Sequence, residues 1–460
     1  MFRIDAGETR RYCDGLSRRS FVQLGVAGIA SVQLPRLLEA RETQTNSTVD
    51  PRHRSAILIW LDGGPGHMDM YDMKPDAPAE YRGIWRPIRT NVPGIEITEL
   101  FPQQAKVADK FSIVRSLHHD TGDHFAGGHR MLTTKDMGVS GGNTGGKFPS
   151  MGSIIAHQRQ SSDRDIPAYM SVPIASSIGL RPGYFGGNWL GAQFDPFQTN
   201  GDPNNANFKV DNVELAPGMT VQTLDDRKRL MKSLDRIPRA VDASGTFDAM
   251  NRFEKQAFRF VTGSKARKAF KLSEENDELR DAYGRNTWGQ STLLARRLVE
   301  AGAGFVTVHL GGWDHHWNLE SGMDSYLPRV DALVATLFQD LERRGQLDST
   351  LVILCGEFSR TPRMNDGGNG GPPLSQGTPG RDHWGNSMFC LLGGGGIRGG
   401  QIVGSTNRLG EEPLTRAVRP DNLHATIYRC LGIDPKIQLL DHSGRPTSVL
   451  EDPTPIHELL

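Results

Sequence analysis

Cysteine is scarce in this chain. The 460 residues include four cysteines, Cys13, Cys355, Cys390 and Cys430, and no two of them form a Cys-x-x-Cys pair. Because Cys13 lies in a predicted export segment, the mature chain would keep an odd number of thiols, so a disulfide framework is not indicated. Cys355 and Cys390 lie inside apolar runs, where we expect them to be small core residues and not nucleophiles.

An excess of charge is also missing. The 53 basic residues balance the 53 acidic residues, and no cluster of Lys or Arg follows the first 40 positions. Nucleic-acid-binding proteins carry a basic surface, so nucleic acid is not expected as a partner.

The N-terminus has no hydrophobic run long enough to span a bilayer. Ser17, Arg18, Arg19, Ser20 and Phe21 precede a mild apolar run at 24–31. Paired arginines before Phe and a short, weak hydrophobic stretch are typical of a twin-arginine signal, and that run is too short for an ordinary transmembrane helix. A chance Arg-Arg pair before a core helix is the alternative. The pattern predicts a signal and linker over 1–45, a twin-arginine translocase as partner, and a periplasmic or extracellular protein with no transmembrane span after signal removal.

What the chain does contain is a series of short, continuous apolar runs separated by helical patterns. Such runs are typical of strands buried on both faces of a sheet, and their alternation with helices predicts an α/β fold with a mainly parallel sheet and helices on both faces. We predict one domain over 46–460, with a charged helical insertion or cap around 225–285. The predicted strands are 56–61, 111–117, 304–310, 351–355 and 387–392, and the main predicted helices are 291–301 and 326–344.

Polar residues follow or precede these predicted strands. Histidines and carboxylates cluster at 62–69, 118–129, 314–316, 357 and 382–383. Ligands of open α/β sheets lie outside the carboxyl ends of the strands, so these side chains should meet in one crevice. Several carboxylates crowded together are costly unless cations neutralise them, and mixed His and carboxylate ligands suit zinc, manganese or iron. The sequence therefore predicts a divalent metal, with zinc or manganese favoured.

Each of these groups also has a purely structural interpretation. Asp62 before Gly-Gly-Pro suits a turn, Glu357 is a possible partner of Arg360, and Asp382 with His383 is a possible hydrogen-bonded loop pair. The recurrence of such residues at the same position relative to the strands favours the metal site over these separate alternatives.

Several motifs together resemble a known family. The helix and turn at 325–357 are similar to the alkaline phosphatase and sulfatase superfamily. More specifically, the chain resembles family 1501 of the domains of unknown function over nearly all of its length after the predicted signal. The motifs that carry this resemblance lie at 62–65, 294–302, 311–316, 356–362, 380–384, 443–446 and 456–460.

The resemblance implies an alkaline-phosphatase-like fold and a set of metal ligands. Asp62 matches the metal-binding Asp of the first strand, and Asp314 and His316 resemble the Asp and His ligands of one metal. Glu357 takes the place of the Asp in an Asp-His pair, and His383 resembles the last His ligand.

The chain also departs from the superfamily pattern. Phe358 stands where the second member of the Asp-His pair would be, which weakens the case for a complete two-metal site. His124 falls where a Ser or Thr nucleophile would begin a helix. The sulfatase signature Cys-x-Pro-x-Arg is absent, which excludes a formylglycine sulfatase.

Two functions remain open at this point. The first is an exported metal-dependent hydrolase of phosphate, phosphonate or sulfate esters, acting on a small molecule or a polysaccharide. The second is a catalytically idle exported domain that binds a cell-surface glycan or protein. For the hydrolase we predict His124 as the base or acid, with His119 or His67 as alternatives. Arg360 or Arg381 would clamp the substrate anion, and Arg360 is preferred.

Overall fold

The computed structural model describes residues 50–137, 147–160, 165–210, 222–223, 226, 258–367 and 377–460. The predicted signal and linker, with Arg18 and Arg19, lie outside these residues. The part of the chain from Val49 to Leu460 forms one compact unit.

The centre of this unit is an eight-stranded sheet, in the order β8-β2-β7-β6-β1-β5-β3-β4. All strands but one run in the same direction, since β7 is antiparallel to both of its neighbours. The predicted fold class, α/β with a mainly parallel sheet, is therefore confirmed. The strands are β1 Ser55–Asp62, β2 Phe111–Leu117, β3 Tyr169–Val172, β4 Phe197–Gln198, β5 Phe305–Gly311, β6 Thr350–Cys355, β7 Met388–Gly393 and β8 Ile402–Val403.

Helices cover both faces of the sheet, and strand β1 shows why. Its residues Ile57, Ile59 and Leu61 belong to one hydrophobic cluster, while Ala56, Leu58 and Trp60 belong to the other. Helices α5 and α6 contribute to the first cluster, and α1, α2 and α7 to the second. The main helices are α1 His124–Thr133, α2 Met151–Gln158, α3 Ser264–Phe270, α4 Asp277–Tyr283, α5 Thr287–Glu300, α6 Leu319–Arg343 and α7 Pro420–Cys430.

Shorter elements surround the sheet. A single helical turn, His67–Met70, follows β1. Antiparallel ribbons pair Pro87–Arg89 with Glu96–Thr98, Ser359–Arg360 with His383–Trp384, Ser405–Thr406 with Pro413–Thr415, and Gln438–Leu440 with Pro446–Ser448.

The five predicted buried strands are all present, whereas β3, β4 and β8 were not predicted. These three strands have two to four residues each, too short for a periodic signal. Helix α6 begins seven residues before its predicted start at Tyr326, because buried Leu319 and Met323 extend its apolar face. Gly345 follows α6 with φ of 65°, as expected of a glycine that ends a helix.

Most of the predicted helical insertion lies outside the described residues, apart from 258–285, where α3 and α4 are found. None of the helices that the structure describes is both long and apolar enough to cross a membrane.

Candidate active site

Three carboxylates lie at one edge of the sheet because three adjacent parallel strands end there. Asp62 is the last residue of β1, Asp314 follows β5, and Glu357 follows β6. The turn after β1 brings them together. The amide of Gly63 donates to Oε1 of Glu357 (2.8 Å), and the backbone oxygen of Asp62 accepts from the amide of Trp313 (3.1 Å).

Asp314 is the centre of the more open half of the site. Its Oδ1 lies 3.0 Å from Nε2 of His316 and 3.1 Å from Nε2 of His383, and the two Nε2 atoms are 3.1 Å apart. Asp314, His383 and His124 form the group of possible metal ligands found among the described residues.

The protonation of the two histidines fits a bound cation. Nδ1 of His383 is 2.7 Å from the carbonyl oxygen of Gly122, and Nδ1 of His316 is 2.7 Å from Oδ1 of Asp382. Because these oxygens accept, each Nδ1 carries a proton, and a ring that loses its other proton offers the lone pair of Nε2 to a cation. Three acceptor atoms converge at Asp314, an arrangement that a cation stabilises.

Without a cation, Asp314 is a shared acceptor for imidazole N–H groups. Burial disfavours the carboxylate, but hydrogen bonds from His124, His316 and His383 and the charge of Arg360 outweigh burial and lower the pKa of Asp314. Burial lowers the pKa of His383, which favours the neutral ring that a metal requires, whereas the hydrogen bonds with Asp314 and Asp382 raise the pKa of His316.

Arg360 binds Asp314 from the protein interior. The side chain is buried, and its Nη2 donates to Oδ1 of Asp314 (2.5 Å). Its other bonds go to the backbone oxygens of Gly63, Gly64 and Arg381. Most of the donors of Arg360 are therefore bound inside the protein.

Arg381, the alternative clamp, is also bound inside the protein. Its side chain is fully buried and forms a two-pronged ion pair with Asp69, with contacts of 2.9 and 3.1 Å. It also donates to backbone oxygens of Arg82, Thr361 and Pro362, so its role is to fasten the segment before β7 to the helical turn after β1.

His124 is the first residue of helix α1 and lies between the two halves of the site. Asp123 caps the helix by accepting from the amides of Phe125 and Ala126. Nδ1 of His124 is 2.7 Å from Oε1 of Glu357, and Nε2 is 3.4 Å from Oδ2 of Asp314. Burial opposes the charged ring, but the two carboxylates outweigh burial and raise the pKa of His124 to about 9.

Two glycines allow α1 to approach so closely. A Cβ at Gly127 would lie 3.0 Å from the backbone oxygen of Glu357, and one at Gly128 would lie 2.5 Å from the hydroxyl of Tyr184. Phe358 packs against the rings of His124 and His383, with centroid distances of 4.8 and 4.6 Å. An apolar ring thus follows Glu357, at the position where the superfamily resemblance implies the histidine of an Asp-His pair.

The other half of the site is buried and rich in acceptors. Oδ2 of Asp62 accepts from the amide of Ile178 (2.8 Å) and lies 3.1 Å from Nε2 of His309. Oδ1 of Asp62 and Oε2 of Glu357 have no hydrogen-bond partner within the described residues. Burial raises the pKa of Glu357, and the negative charge of Asp62 adds to this effect against the opposing bond to His124.

The other two histidines predicted as possible bases, His119 and His67, form hydrogen bonds with backbone oxygens and with Ser359. Nε2 of His119 donates to the backbone oxygen of Glu357 (2.6 Å), and burial lowers the pKa of His119 to about 4. His67 is buried away from this crevice, with its ring nitrogens at Ser359 and at the backbone oxygen of Gly410.

The two nearby hydroxyl residues, Thr121 and Ser116, form hydrogen bonds with the backbone. Oγ1 of Thr121 accepts from the amide of Asp123 (3.2 Å), and Oγ of buried Ser116 donates to the backbone oxygen of Arg416.

Two residues near the site were not predicted from the sequence. His309 lies on β5 and contacts Asp62, and Tyr184 is buried with its hydroxyl unpartnered among the described residues. His309 could have been found, since a histidine inside an apolar strand next to a predicted site is unusual. Tyr184 had no local signal, because it comes from a loop far away in the sequence.

The chain belongs to the family described as "Protein of unknown function (DUF1501)", which it matches over residues 53–460. This confirms the family predicted from the motifs. A search of the curated proteins finds no match.

Several solved structures resemble the chain at low identity. A protein of the alkaline phosphatase superfamily from Vibrio parahaemolyticus has 10% identity and a TM-score of 0.38, covering 84% of this chain and 68% of its own. A phosphonate monoester hydrolase from Silicibacter pomeroyi has 10% identity and a TM-score of 0.34, covering 85% of this chain and 75% of its own. A mutant TAB5 alkaline phosphatase with bound magnesium has 14% identity and a TM-score of 0.35, covering 82% of this chain and 98% of its own. The fold assignment itself rests on the strand order and directions of this chain.

Proposed function

We propose that the protein is an exported, metal-dependent hydrolase of phosphate, phosphonate or sulfate esters. The observation that carries this proposal is the convergence of Asp314, His316 and His383, in which each histidine has its Nδ1 proton bound by an oxygen and its Nε2 directed at the same carboxylate oxygen. Asp314, His316 and His383 would hold the principal divalent cation, zinc or manganese. When bound, such a cation supplies Lewis-acid polarisation of the ester oxygen.

Asp62 and Glu357 also fit a role in cation binding. Each is buried and has one carboxylate oxygen without a hydrogen-bond partner in the described part of the chain. A buried carboxylate oxygen in this state is costly, and a second cation or a water would relieve that cost. We therefore keep both residues as candidate ligands.

His124 is the proposed acid–base residue. Its ring bridges Glu357 and Asp314, so a proton at Nδ1 or Nε2 always faces a carboxylate. The ring is held by the helix start and by Phe358, which fixes its orientation next to the metal ligands. His124 is therefore held in one orientation beside the metal ligands, as a general acid or base requires, a contribution typically worth about 100- to 10,000-fold in rate.

Arg360 has a positioning role in this proposal. By binding Asp314 and three backbone oxygens, it fixes the carboxylate that both histidines face. Such support of a metal ligand typically changes metal affinity by about 10- to 100-fold.

A binding domain without catalysis is the second candidate. The observation that favours it is that α1 begins with His124, where the superfamily resemblance implies a Ser or Thr nucleophile. A reaction in which water is the nucleophile needs no such hydroxyl, and for this reason we prefer the hydrolase.

The experiment that tests the proposal is hydrolysis of matched nitrophenyl phosphate, phosphonate and sulfate esters by protein loaded with zinc or manganese. We expect His124→Ala to lower kcat/KM by at least about 100-fold while part of the metal is retained. Thr121→Ala is the matched control from the same loop and should keep most of the activity. Activity that survives in His124→Ala and disappears in Thr121→Ala would instead identify a hydroxyl nucleophile. If the metal-loaded wild type cleaves none of the esters, the binding domain becomes the better interpretation.

A further inference from the structure

A tight turn at residues 177–180 lies directly against the site. Ser177 and Leu180 form an antiparallel bridge, with N–O distances of 2.8 and 2.9 Å between their backbones. The two central residues, Ile178 and Gly179, both have positive φ angles, of 45° and 75°. A two-residue turn of this kind normally takes Asn, Asp or Gly at both central positions.

Ile178 is an unfavourable residue for this turn. Its branched Cβ makes a positive φ a true outlier, and such outliers persist where the surroundings enforce them, often at functional sites. The amide of Ile178 donates to Oδ2 of Asp62 (2.8 Å), the same oxygen that contacts His309. The turn is therefore fastened to a carboxylate of the proposed metal centre.

The turn also presents apolar side chains to solvent. Within the described part of the chain, four large hydrophobic side chains are exposed, and two of them, Ile178 (41%) and Leu180 (51%), lie in this turn. The other two, Leu414 and Leu440, lie on separate two-stranded ribbons. Single exposed apolar residues are ordinary, but a strained turn that carries two of them beside a polar site is not.

We propose that residues 177–180 form a substrate lip, on which Ile178 and Leu180 contact an apolar group of the ester substrate. This inference rests on the proposed function and adds a substrate class to it: esters with an aryl or alkyl substituent next to the anionic group. The polar half of such a substrate faces the carboxylates and histidines, and its apolar half covers the two exposed side chains. Binding sites commonly combine a few polar groups with an apolar wall in this way.

The geometry favours a substrate group over any other occupant of the lip. Because the Ile178 amide is bonded to Asp62, the turn is attached to the strand end that carries a candidate metal ligand. Gly63 follows Asp62 and packs against the backbone of Asp314, with its Cβ position 2.7 Å from the amide of Asp314. The lip is therefore linked through Asp62 and Gly63 to the segment that carries Asp314.

The test compares binding of phenylphosphonate and methylphosphonate to the metal-loaded full-length protein by titration calorimetry. The wild type should bind phenylphosphonate about tenfold or more tightly than methylphosphonate, as expected for an apolar contact of this size. The double variant Ile178→Gly, Leu180→Ser should reduce this ratio to about twofold and leave methylphosphonate affinity nearly unchanged. Gly accepts the positive φ, so the variant should keep the turn and fold at least as stably.

Leu440→Ser is the control for loss of an exposed leucine, and it should keep the wild-type ratio. Equal, measurable binding of both phosphonates by the wild type overturns the lip and leaves the proposed function intact. A ratio that the double variant does not change also overturns the lip. Failure of the wild type to bind either phosphonate contradicts the proposed anion site itself, and with it the lip.

Discussion

Two clusters of buried charge in this molecule differ in how their charges are balanced. In the helical layer, fully buried Arg296 contacts Glu275 (2.7 Å), Glu300 (2.6 Å) and Asp340 (3.0 Å), and Arg344 adds further contacts to the same three carboxylates. At the strand ends, by contrast, several carboxylates share one buried arginine and a set of imidazoles, and two of their oxygens have no partner among the described residues. Charges that neutralise each other locally serve the fold, whereas the local excess of acceptors is the pattern from which we propose a cation site.

The largest expected effect would come from breaking the balanced cluster. Arg296→Ala leaves Glu275 and Asp340 with fewer cationic partners in a buried environment, so we expect the free energy of unfolding to fall by about 3 to 5 kcal/mol. Urea denaturation monitored by circular dichroism measures this change. The exposed pair of Arg285 with Asp277 and Asp281 provides the control, and Arg285→Ala should change the stability only slightly. Similar losses in both variants would remove the distinction between the clusters.

The acceptor-rich cluster should respond to chelator instead. A cation at a thousandfold its Kd stabilises the folded state by about 4 kcal/mol, so chelator should lower the melting temperature of the wild type measurably. Asp314→Ala and His383→Ala should each lower the metal content and be insensitive to chelator. His442→Ala, an exposed histidine outside the site, should behave as the wild type. A wild-type protein with no metal and the same melting temperature in chelator would refute the metal centre.

The smallest effect concerns Asp331, a buried carboxylate bound by the backbone amides of Gln103 and Gln104. Burial raises the pKa of Asp331 to about 6 against the opposing amide bonds. Because the folded pKa exceeds the unfolded value, protonation favours the folded state. The contribution of this group to stability should therefore decrease by about 2 to 3 kcal/mol as the pH rises from about 4 to above 6.

Asp331→Asn tests that expectation. The difference in unfolding free energy between wild type and variant, measured across this pH range, should change with pH in the stated direction. A difference that stays constant would show that Asp331 does not titrate there.

The fold was largely predictable because its central strands carry continuous apolar runs. β1, β5 and β6 stand out in the sequence since both of their faces are buried, and the carboxylates that follow them lie together because the strands are parallel and adjacent. The short strands β3 and β4 have no such apolar run. The apolar run of β7 predicts a strand but does not indicate that it is antiparallel to its neighbours.

The local chemistry of the site was less predictable. The roles of Arg360 and Arg381 depend on which backbone oxygens surround them, and those oxygens come from segments far away in the sequence. The contact between His309 and Asp62 depends on the register of two neighbouring strands. Sequence reasoning can therefore propose which residues meet, but not which of them hold the others in place.

The reversed direction of β7 determines where the segment between β6 and β7 begins and ends. The chain leaves β6 and enters β7 at the same edge of the sheet, so Glu357 follows its strand whereas His383 precedes its own. The intervening residues begin and end on the functional side, where the short ribbon of Ser359–Arg360 with His383–Trp384 joins their ends. Insertions or deletions within this stretch would reshape the crevice without disturbing the register of the sheet. A change in the length of this stretch would therefore alter the candidate site while Glu357 and His383 keep their places at the strand ends.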